Sequence, residues 1–171
     1  MGGGILPVTV YRNKIFLLYG RENKDDKKNK ERGKWSDFGG GREKNETSKQ
    51  TAIREGWEET SGILGTQADI KYNIENNLLG KISYSGDGKG TYSTYLIMTP
   101  YDPTLPKKLE TVYKRALKKE PEKVFQHNGL YEKDTARWFA LDELIKNKHM
   151  FRKWYIPMLY KTVRFFEKRV R

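Results

Sequence analysis

The feature that most constrains this chain is a glycine run followed by an acidic, helix-forming stretch within residues 40–62. The helical signal consists of capping-type residues and of apolar residues at helical spacing, namely Thr47, Ser48, Ile53, Trp57 and Thr60. It predicts a helix over Ser48–Thr60. We expect the apolar side of this helix to pack inward, while its other side carries acids.

Three glutamates crowd the polar side of this predicted helix. At about 100° per residue, Glu55, Glu58 and Glu59 fall within about 100° of one another. Like charges four residues apart repel on a helix, so this face is under electrostatic stress unless a cation lies among the carboxylates. Hard divalent cations such as Mg²⁺ prefer several oxygen ligands. The alternative is an ordinary solvated acidic face with Lys49 and Arg54 as ion-pair partners.

The residues before the helix connect it to the glycine run. Glycines let a backbone approach a ligand closely, and Glu46 and Arg54 are placed to pair and to pin the loop to the helix. The glycine run, the loop and the acidic helix therefore form one unit.

This unit resembles the Nudix box, G-x5-E-x7-R-E-U-x-E-E-x-G-U, in which U is a bulky aliphatic residue. Gly40 is followed by five residues and Glu46, and seven more residues lead to Arg54-Glu55. Glu58-Glu59 then stand at the family's spacing. The specified polar and glycine positions up to the paired glutamates all match.

Two positions depart from the box, and neither is a proposed metal ligand. Gly56 stands where the family prefers an aliphatic residue, so we expect Trp57 to take over that packing. Gly62 comes one place late, which indicates a small shift of the helix end.

The resemblance extends over most of the chain and implies the family's α/β/α sandwich around a mixed β-sheet, in the α/β (α+β) class. Val8–Gly20 is similar to the family's opening strands, Trp35–Gly40 to the usual lead-in, and Ala136–Leu144 to a late strand and turn. We expect one domain over residues 1–171, with a basic C-terminal helix over residues 151–171.

The same resemblance implies a metal site on the acidic helix. Glu55, Glu58 and Glu59 are expected to bind Mg²⁺ or Mn²⁺, with the carbonyl group of Gly39 as a further ligand. Such a metal neutralises phosphoryl oxygens and lowers the pKa of a bound water. The other box residues are expected to have structural roles: Gly40, Glu46 and Arg54.

A general base must take the proton of the attacking water. The base varies across the family, and here it is either Glu55 or an acid from a later loop. Glu132, shortly before the strand at Ala136, is the leading later candidate, with a plain loop carboxylate as the alternative. The two histidines, His127 and His149, are expected to be surface or packing residues.

Strands and helices follow each other in mixed order, which is typical of α/β or α+β folds. Apolar, β-rich runs predict strands at Ile5–Tyr11, Lys14–Tyr19, Ala68–Tyr72, Leu79–Tyr84, Thr91–Thr99 and Ala136–Ala140. Helices are predicted at Lys107–Lys119, Leu141–Lys146 and Phe151–Arg169, with Pro157 kinking the last one or starting it afresh. The polar segments Gly20–Lys34 and Ser85–Gly90 are predicted to be an exposed loop and a turn.

The net charge is +12, from 34 Lys and Arg against 22 Asp and Glu. A positive field attracts polyanions, so nucleic acid or a densely phosphorylated small molecule is the expected partner, with a merely solubilising surface as the alternative. The cations concentrate in Arg21–Lys34, Lys107–Lys123 and Phe151–Arg171. We expect the aromatic residues of the last segment to face the core. The phosphate-binding candidates are Lys118, Lys119, Lys168 and Arg169.

Three hypotheses about function follow from the charge and the resemblance. The favoured one is hydrolysis of an RNA 5′ cap in the manner of Nudix decapping enzymes. The alternative substrate is a diphosphoinositol polyphosphate, a dinucleoside polyphosphate or a nucleotide sugar. The third hypothesis is a non-catalytic RNA-binding Nudix module, against which the intact set of three glutamates argues.

Composition excludes several other classes of site. The absence of cysteine rules out disulfides, thiolate zinc sites and cysteine nucleophiles. No apolar run approaches the about 18 residues of a transmembrane helix, and the first residues do not resemble a signal peptide. We expect a soluble cytoplasmic protein without a membrane partner.

Overall fold

The computed structural model describes residues 1–86, 88 and 90–170. It begins with the first two predicted strands, β1 (Gly2–Tyr11) and β2 (Lys14–Glu22), which pair as a hairpin. Both turn residues have left-handed backbones, with φ of 48° at Arg12 and 60° at Asn13. A two-residue turn of this kind matches the right-handed twist of the strands that it joins, which explains why the apolar runs pair here.

The hairpin forms the centre of one mixed sheet. Its other strands are β3 (Trp35–Ser36), β4 (Phe38–Gly41), β5 (Leu78–Ser85), β6 (Thr91–Met98) and β7 (Lys133–Ala140). The main path of the sheet is β3-β2-β1-β6-β5, while β4 also pairs with β1 and β7 with β2. The pairing of β1 with β6 is parallel and the other pairings are antiparallel.

Helices cover both faces of this sheet. They are α1 (Ser48–Glu59), α2 (Gln67–Asn76), α3 (Leu105–Lys119), the short α4 (Pro121–Val124) and α5 (Ile156–Val170). One core cluster joins the sheet to α5, through residues such as Met158 and Phe166. A second cluster joins the opposite face to α1, α2 and α3, through Ala52, Ile70 and Leu109. The predicted α/β/α sandwich around a mixed sheet is therefore confirmed.

One predicted strand is wrong, because Ala68–Tyr72 lies inside α2. The Thr66 side chain accepts a hydrogen bond from the Asp69 N–H, and the Asp69 side chain accepts one from Thr66 N–H. This reciprocal cap starts a helix, and buried Ile70 and Ile74 repeat at helical spacing.

The C-terminal helix begins later than predicted. Residues 153–155 form a 3₁₀ turn, and α5 starts at Ile156, so that Pro157 lies in its first turn. A proline is tolerated there because the first N–H groups of a helix have no internal partner. The helix predicted at Leu141–Lys146 is also shorter than expected, since only Leu141–Glu143 is helical, as a 3₁₀ helix. Asp87 and Lys89 of the predicted turn, and Arg171 of the basic segment, lie outside the described residues.

Within the part of the chain that the structure describes, no helix combines the length and the apolar character that crossing a bilayer requires.

Candidate active site

The floor of the candidate site is a ladder of paired glycines. Gly2–Gly4 on β1 pair with Gly39–Gly41 on β4, and we call these six residues the glycine ladder. Helix α1 lies close above it: a Cβ on Gly3 would collide with the Ser48 carbonyl oxygen, and one on Gly40 would lie 2.6 Å from the carboxyl carbon of Glu55. A side chain at Gly3 or Gly40 would therefore push α1 away from the sheet.

This floor explains why α1 is oriented differently from the sequence expectation. Glu55 and Glu59 lie on the buried side of the helix, whereas Ile53 and Trp57 are only half-buried. The space beside Gly56 is filled by Ile5, whose Cδ1 lies 2.8 Å from where a Cβ would stand. Two carboxylates thus face the sheet because the glycines leave room for them.

Glu59 is the most deeply placed of the three box glutamates, with 2% of its surface exposed. Its Oε2 accepts a 2.8 Å hydrogen bond from the Gly39 N–H, and the Nζ of Lys133 lies 3.7 Å from the same oxygen. Burial raises the pKa of Glu59 well above its usual value, and the positive charge of Lys133 opposes this shift. The side chain is therefore held in position by a backbone donor and a buried cation.

Arg54 connects the loop to the acidic face. Its Nε donates to Glu46 Oε1 at 2.7 Å, so the predicted ion pair between these residues is present. Its Nη1 donates to Glu55 Oε1 at 2.8 Å and to Glu58 Oε2 at 3.1 Å. The hydrogen bonds from Arg54 hold the pKa of Glu46 at about 2. One guanidinium thus pins the loop and also bridges two of the predicted metal ligands.

The carboxylates of this cluster raise each other's pKa values. Burial is the main cause for Glu55, whose pKa is raised to about 7, and the charges of Glu58 and Glu132 add to it. Burial also raises the pKa of Glu58, again with a contribution from Glu132. Glu132 therefore lies near the acidic helix, as the general-base hypothesis requires. Its Oε1 accepts a 3.1 Å hydrogen bond from the N–H of Gly129, a residue that packs directly against Glu58.

A cavity of about 850 Å³ opens beside the glycine ladder. Two cationic side chains, Arg152 and Lys153, line it together with the aromatic rings of Tyr84 and Trp154. Tyr92 also lines it, and its ring meets that of Trp154 edge to face at 4.9 Å. The cavity thus offers positive charge and flat apolar surfaces, and it shares Gly39 and Gly40 with the contacts of Glu59 and Glu55.

A family model described as NUDIX domain matches residues 4–161 of the sequence. The chain belongs to the Nudix family. This Nudix protein is accordingly a hydrolase that acts on acid anhydrides. No curated protein matches the sequence significantly.

Solved Nudix structures share the fold at low sequence identity. The Ap4A hydrolase of C. elegans in a binary complex superposes with a TM-score of 0.53 at 18% identity, covering 98% of this chain and 97% of that chain. A bifunctional NMN adenylyltransferase/ADP ribose pyrophosphatase from Francisella tularensis gives a TM-score of 0.53 at 17% identity, covering 95% of this chain and 42% of that chain.

The box residues fit a hard divalent cation by their donor chemistry. The Nη1 of Arg54 donates to both Glu55 and Glu58. It supplies positive charge between their oxygens, as a metal ion would. In this arrangement no three acidic or imidazole side chains of the described residues converge on one point. Arg54 bonds Oε1 of Glu55 and Oε2 of Glu58, so the second oxygen of each carboxylate is not engaged by Arg54. The Gly39 N–H bonds Glu59, and a ligand role for its carbonyl group stays a prediction.

A buried ion-pair network that the sequence did not reveal lies behind the acidic helix of this Nudix hydrolase. Lys133 is completely buried, and its Nζ donates to Glu22 Oε1 at 2.5 Å and to Ser36 Oγ at 2.8 Å. Arg152, from the cavity wall, donates to the same Glu22 oxygen at 3.1 Å. Glu22 thus joins the cavity wall to the lysine that contacts Glu59.

The four cations selected from the sequence lie away from this centre, and none of them lines the cavity. Lys118 and Lys119 are exposed in the last turn of α3, where positive charge stabilises a helix. The guanidinium of Arg169 lies 3.6 Å from the ring centre of Phe165. Lys168 is exposed at the end of α5. Their phosphate-binding role stays a prediction.

Proposed function

We propose that this Nudix hydrolase cleaves a diphosphate linkage in a nucleotide-containing polyanion, and that its favoured substrate is an RNA 5′ cap. The proposal includes Mg²⁺ or Mn²⁺ as cofactor, with Glu55, Glu58 and Glu59 as ligands. The observation that carries it is a cationic and aromatic cavity lined by Gly39 and Gly40, the same glycines against which Glu59 and Glu55 of the acidic cluster pack.

The cavity supports a nucleotide rather than an inositol phosphate. Tyr84 and Trp154 present flat rings on which a nucleobase can stack, a contact worth about 1–3 kcal/mol per base. Arg152 and Lys153 supply positive charge for phosphates. A diphosphoinositol polyphosphate has no aromatic face to match the rings, so it is the weaker of the alternatives.

A bound divalent cation supplies charge neutralisation at the phosphoryl oxygens and a water of lowered pKa. The protein's own carboxylates then hold and move the proton. Glu55 lies in the acidic cluster, bonded to Arg54, and is one candidate for the general base. Glu132 lies in the same cluster and is held by the N–H of Gly129. Both remain candidates for the base.

A dinucleoside polyphosphate is the second candidate substrate. It shares with a cap the two features that the cavity recognises, a base and a phosphate chain, and the C. elegans protein of similar fold is an Ap4A hydrolase. A cap on RNA is favoured because the net charge of +12 suits a long polyanion better than a small one.

The experiment is a substrate panel with Mn²⁺: long capped RNA, free cap dinucleotide, a dinucleoside tetraphosphate and a diphosphoinositol phosphate. Release of methylated GDP from long RNA but not from free cap supports decapping. Hydrolysis of the dinucleoside tetraphosphate alone selects the second candidate, and no turnover of any substrate overturns the proposal.

A matched pair of variants tests the metal site. Glu58→Gln should abolish cleavage and weaken Mn²⁺ binding while the fold is retained, because it removes a half-buried ligand of the cluster. Glu122→Gln removes an exposed acid of α4 and should leave both unchanged. Full activity of Glu58→Gln would refute the assigned site.

A further inference from the structure

The polar segment Asn23–Lys34, which we call the cationic loop, is an ordered chain of turns. Three of its side chains, those of Asn23, Asp26 and Asn29, each accept a hydrogen bond from the backbone N–H two residues later, at 2.9 to 3.0 Å. These residues are spaced three apart, and backbone bonds also join them in sequence. Turns stabilised in this way keep their shape without a ligand.

Two of the three acids of the cationic loop, Asp26 and Glu31, lie against the protein. Asp26 is buried, and Asp25 accepts a 3.2 Å hydrogen bond from the hydroxyl of Tyr113. Glu31 accepts hydrogen bonds from the Arg152 side chain at 3.3 Å and from the backbone of Lys153 at 3.1 Å. Glu31 is thus paired with a cation of the protein, whereas Asp25 is exposed and bonded to a neutral hydroxyl group.

The cations of the cationic loop are directed the other way. Of its six cations, Lys34 donates to the carbonyl oxygen of His149 at 2.8 Å. The other five are exposed, and their side chains have no ion pair or hydrogen bond among residues 1–86, 88 and 90–170: Lys24, Lys27, Lys28, Lys30 and Arg32. Acidic and basic residues alternate along the sequence here, yet the fold separates them. The outer surface of the loop is therefore strongly positive.

Both ends of the cationic loop adjoin the active site. The Asn23 N–H donates to the carbonyl oxygen of Glu132 at 2.9 Å, next to the acidic cluster. At the other end, Glu31 lines the cavity and holds its cationic wall. A substrate with its diphosphate at the acids lies beside this positive surface.

We propose that the cationic loop is a preformed binding surface for the ribose-phosphate backbone of single-stranded RNA that continues from the cleaved cap. This inference rests on the proposed function, because it concerns the rest of the same substrate. The cations occupy successive turns, so a chain with one phosphate per nucleotide can meet several of them in series. A compact ligand in the cavity reaches only those at one end.

The composition of the cationic loop defines what kind of contact it makes. The segment has no aromatic residue on which a base could stack. Contacts from Lys and Arg to phosphates position a nucleic acid without reading its sequence. We therefore expect binding that depends on salt and on RNA length but not on base composition. Because the loop is already ordered, little conformational entropy is lost on binding.

The test compares two variants that lose the same charge. The loop variant carries glutamine at positions Lys27, Lys28, Lys30 and Arg32, and the control variant carries glutamine at the exposed positions Arg12, Lys71, Lys81 and Lys146. Fluorescence anisotropy with a labelled short single-stranded RNA, in EDTA so that no cleavage occurs, gives Kd across a salt series. Each lost phosphate contact should lower the slope of log Kd against log salt by about 0.7.

In the loop variant we expect the slope of log Kd against log salt to fall by up to about 3. The control variant should keep the wild-type slope. An unchanged slope in the loop variant, or equal losses in both variants, overturns the inference. Its outcome is separable from that of the proposed function. Loop-dependent RNA binding without hydrolysis of capped RNA rejects the function alone, whereas hydrolysis with an unchanged slope rejects the loop surface alone.

Discussion

Lys133 and Glu59 meet inside the protein, where the Nζ of Lys133 lies 3.7 Å from Glu59 Oε2. The same oxygen accepts the N–H of Gly39 at 2.8 Å. Lys133 on β7 and Gly39 on the glycine ladder thus contact the same oxygen of Glu59 on α1, which is a proposed metal ligand. Groups that hold a ligand in this way are as much part of a metal site as the ligand itself.

We predict that Lys133→Met weakens Mn²⁺ binding by about 10–100-fold, because Glu59 loses one of the two groups that orient it. Electron paramagnetic resonance of free Mn²⁺, recorded without substrate, measures this directly. Lys133→Arg should restore part of the affinity. Asp134→Asn is the control: it breaks the 2.8 Å ion pair with Arg21 on the same two strands but does not contact α1. Equal Mn²⁺ affinity in the wild type and Lys133→Met would contradict the prediction.

The glycine ladder gives a second prediction. Gly3→Ala should destabilise the protein by about 1–3 kcal/mol and lower its activity, because the new methyl group meets the backbone of α1 and displaces the acidic helix. Gly41→Ala is the matched control, since a Cβ there has no neighbour within 4 Å among the described residues. Thermal unfolding and turnover measure the two effects. Similar behaviour of both variants would show that the close approach of α1 is not required.

The ion pair of Glu46 with Arg54 predicts a dependence of stability on pH. The folded pKa of Glu46 is about 2, below its ordinary value of 4.5, chiefly because of the hydrogen bond from Arg54. Its contribution is therefore complete above about pH 4.5 and is lost as the pH falls through 2. Glu46→Gln should lower the free energy of unfolding by about 1.5–3 kcal/mol at neutral pH.

Urea unfolding of the wild type and of Glu46→Gln at a series of pH values checks the direction of this pH dependence. The difference between the two proteins should shrink as the solution becomes more acidic. Glu43→Gln should show little difference at any pH, because Glu43 is mostly exposed and lies 3.8 Å from the Arg54 Nε. A difference for Glu46→Gln that does not change with pH would argue against the ion pair as its source.

Trp154 provides the prediction for the cavity. Trp154→Ala should raise KM for a nucleotide substrate about 5- to 150-fold, as expected for the loss of about 1–3 kcal/mol of base stacking. Trp154→Phe should retain most of the affinity, because it keeps a ring at the cavity wall. Tyr72→Ala removes an aromatic ring that is 62% exposed on α2 and should leave KM unchanged. A normal KM in Trp154→Ala would place the base elsewhere.

Local features of the site could be predicted from the sequence because their partners are close along the chain. The hairpin follows from two β-rich runs around Arg12-Asn13, and the pair of Glu46 with Arg54 follows from the spacing of the box. Helix α2 was predicted as a strand, although the Thr66–Asp69 cap and the spacing of Ile70 and Ile74 both indicate a helix.

Other features depend on contacts between distant segments. Helical periodicity alone places Ile53 and Trp57 inward, yet the glycine ladder turns Glu55 and Glu59 toward the sheet instead. Nothing beside Lys133 in the sequence distinguishes it from other lysines. Its burial follows from carboxylates on β2 and α1, and only the pairing of β2 with β7 brings these together.

The cationic partners of Glu22 are 111 and 130 residues farther along the chain, at Lys133 and Arg152. During synthesis the ribosome releases the complete Nudix box long before it releases either of these residues. A nascent or truncated chain that ends soon after α1 can form the acidic helix but not the cations that orient and complete the site. The motif is therefore a property of one short segment, whereas a competent enzyme exists only after nearly the whole chain has left the ribosome.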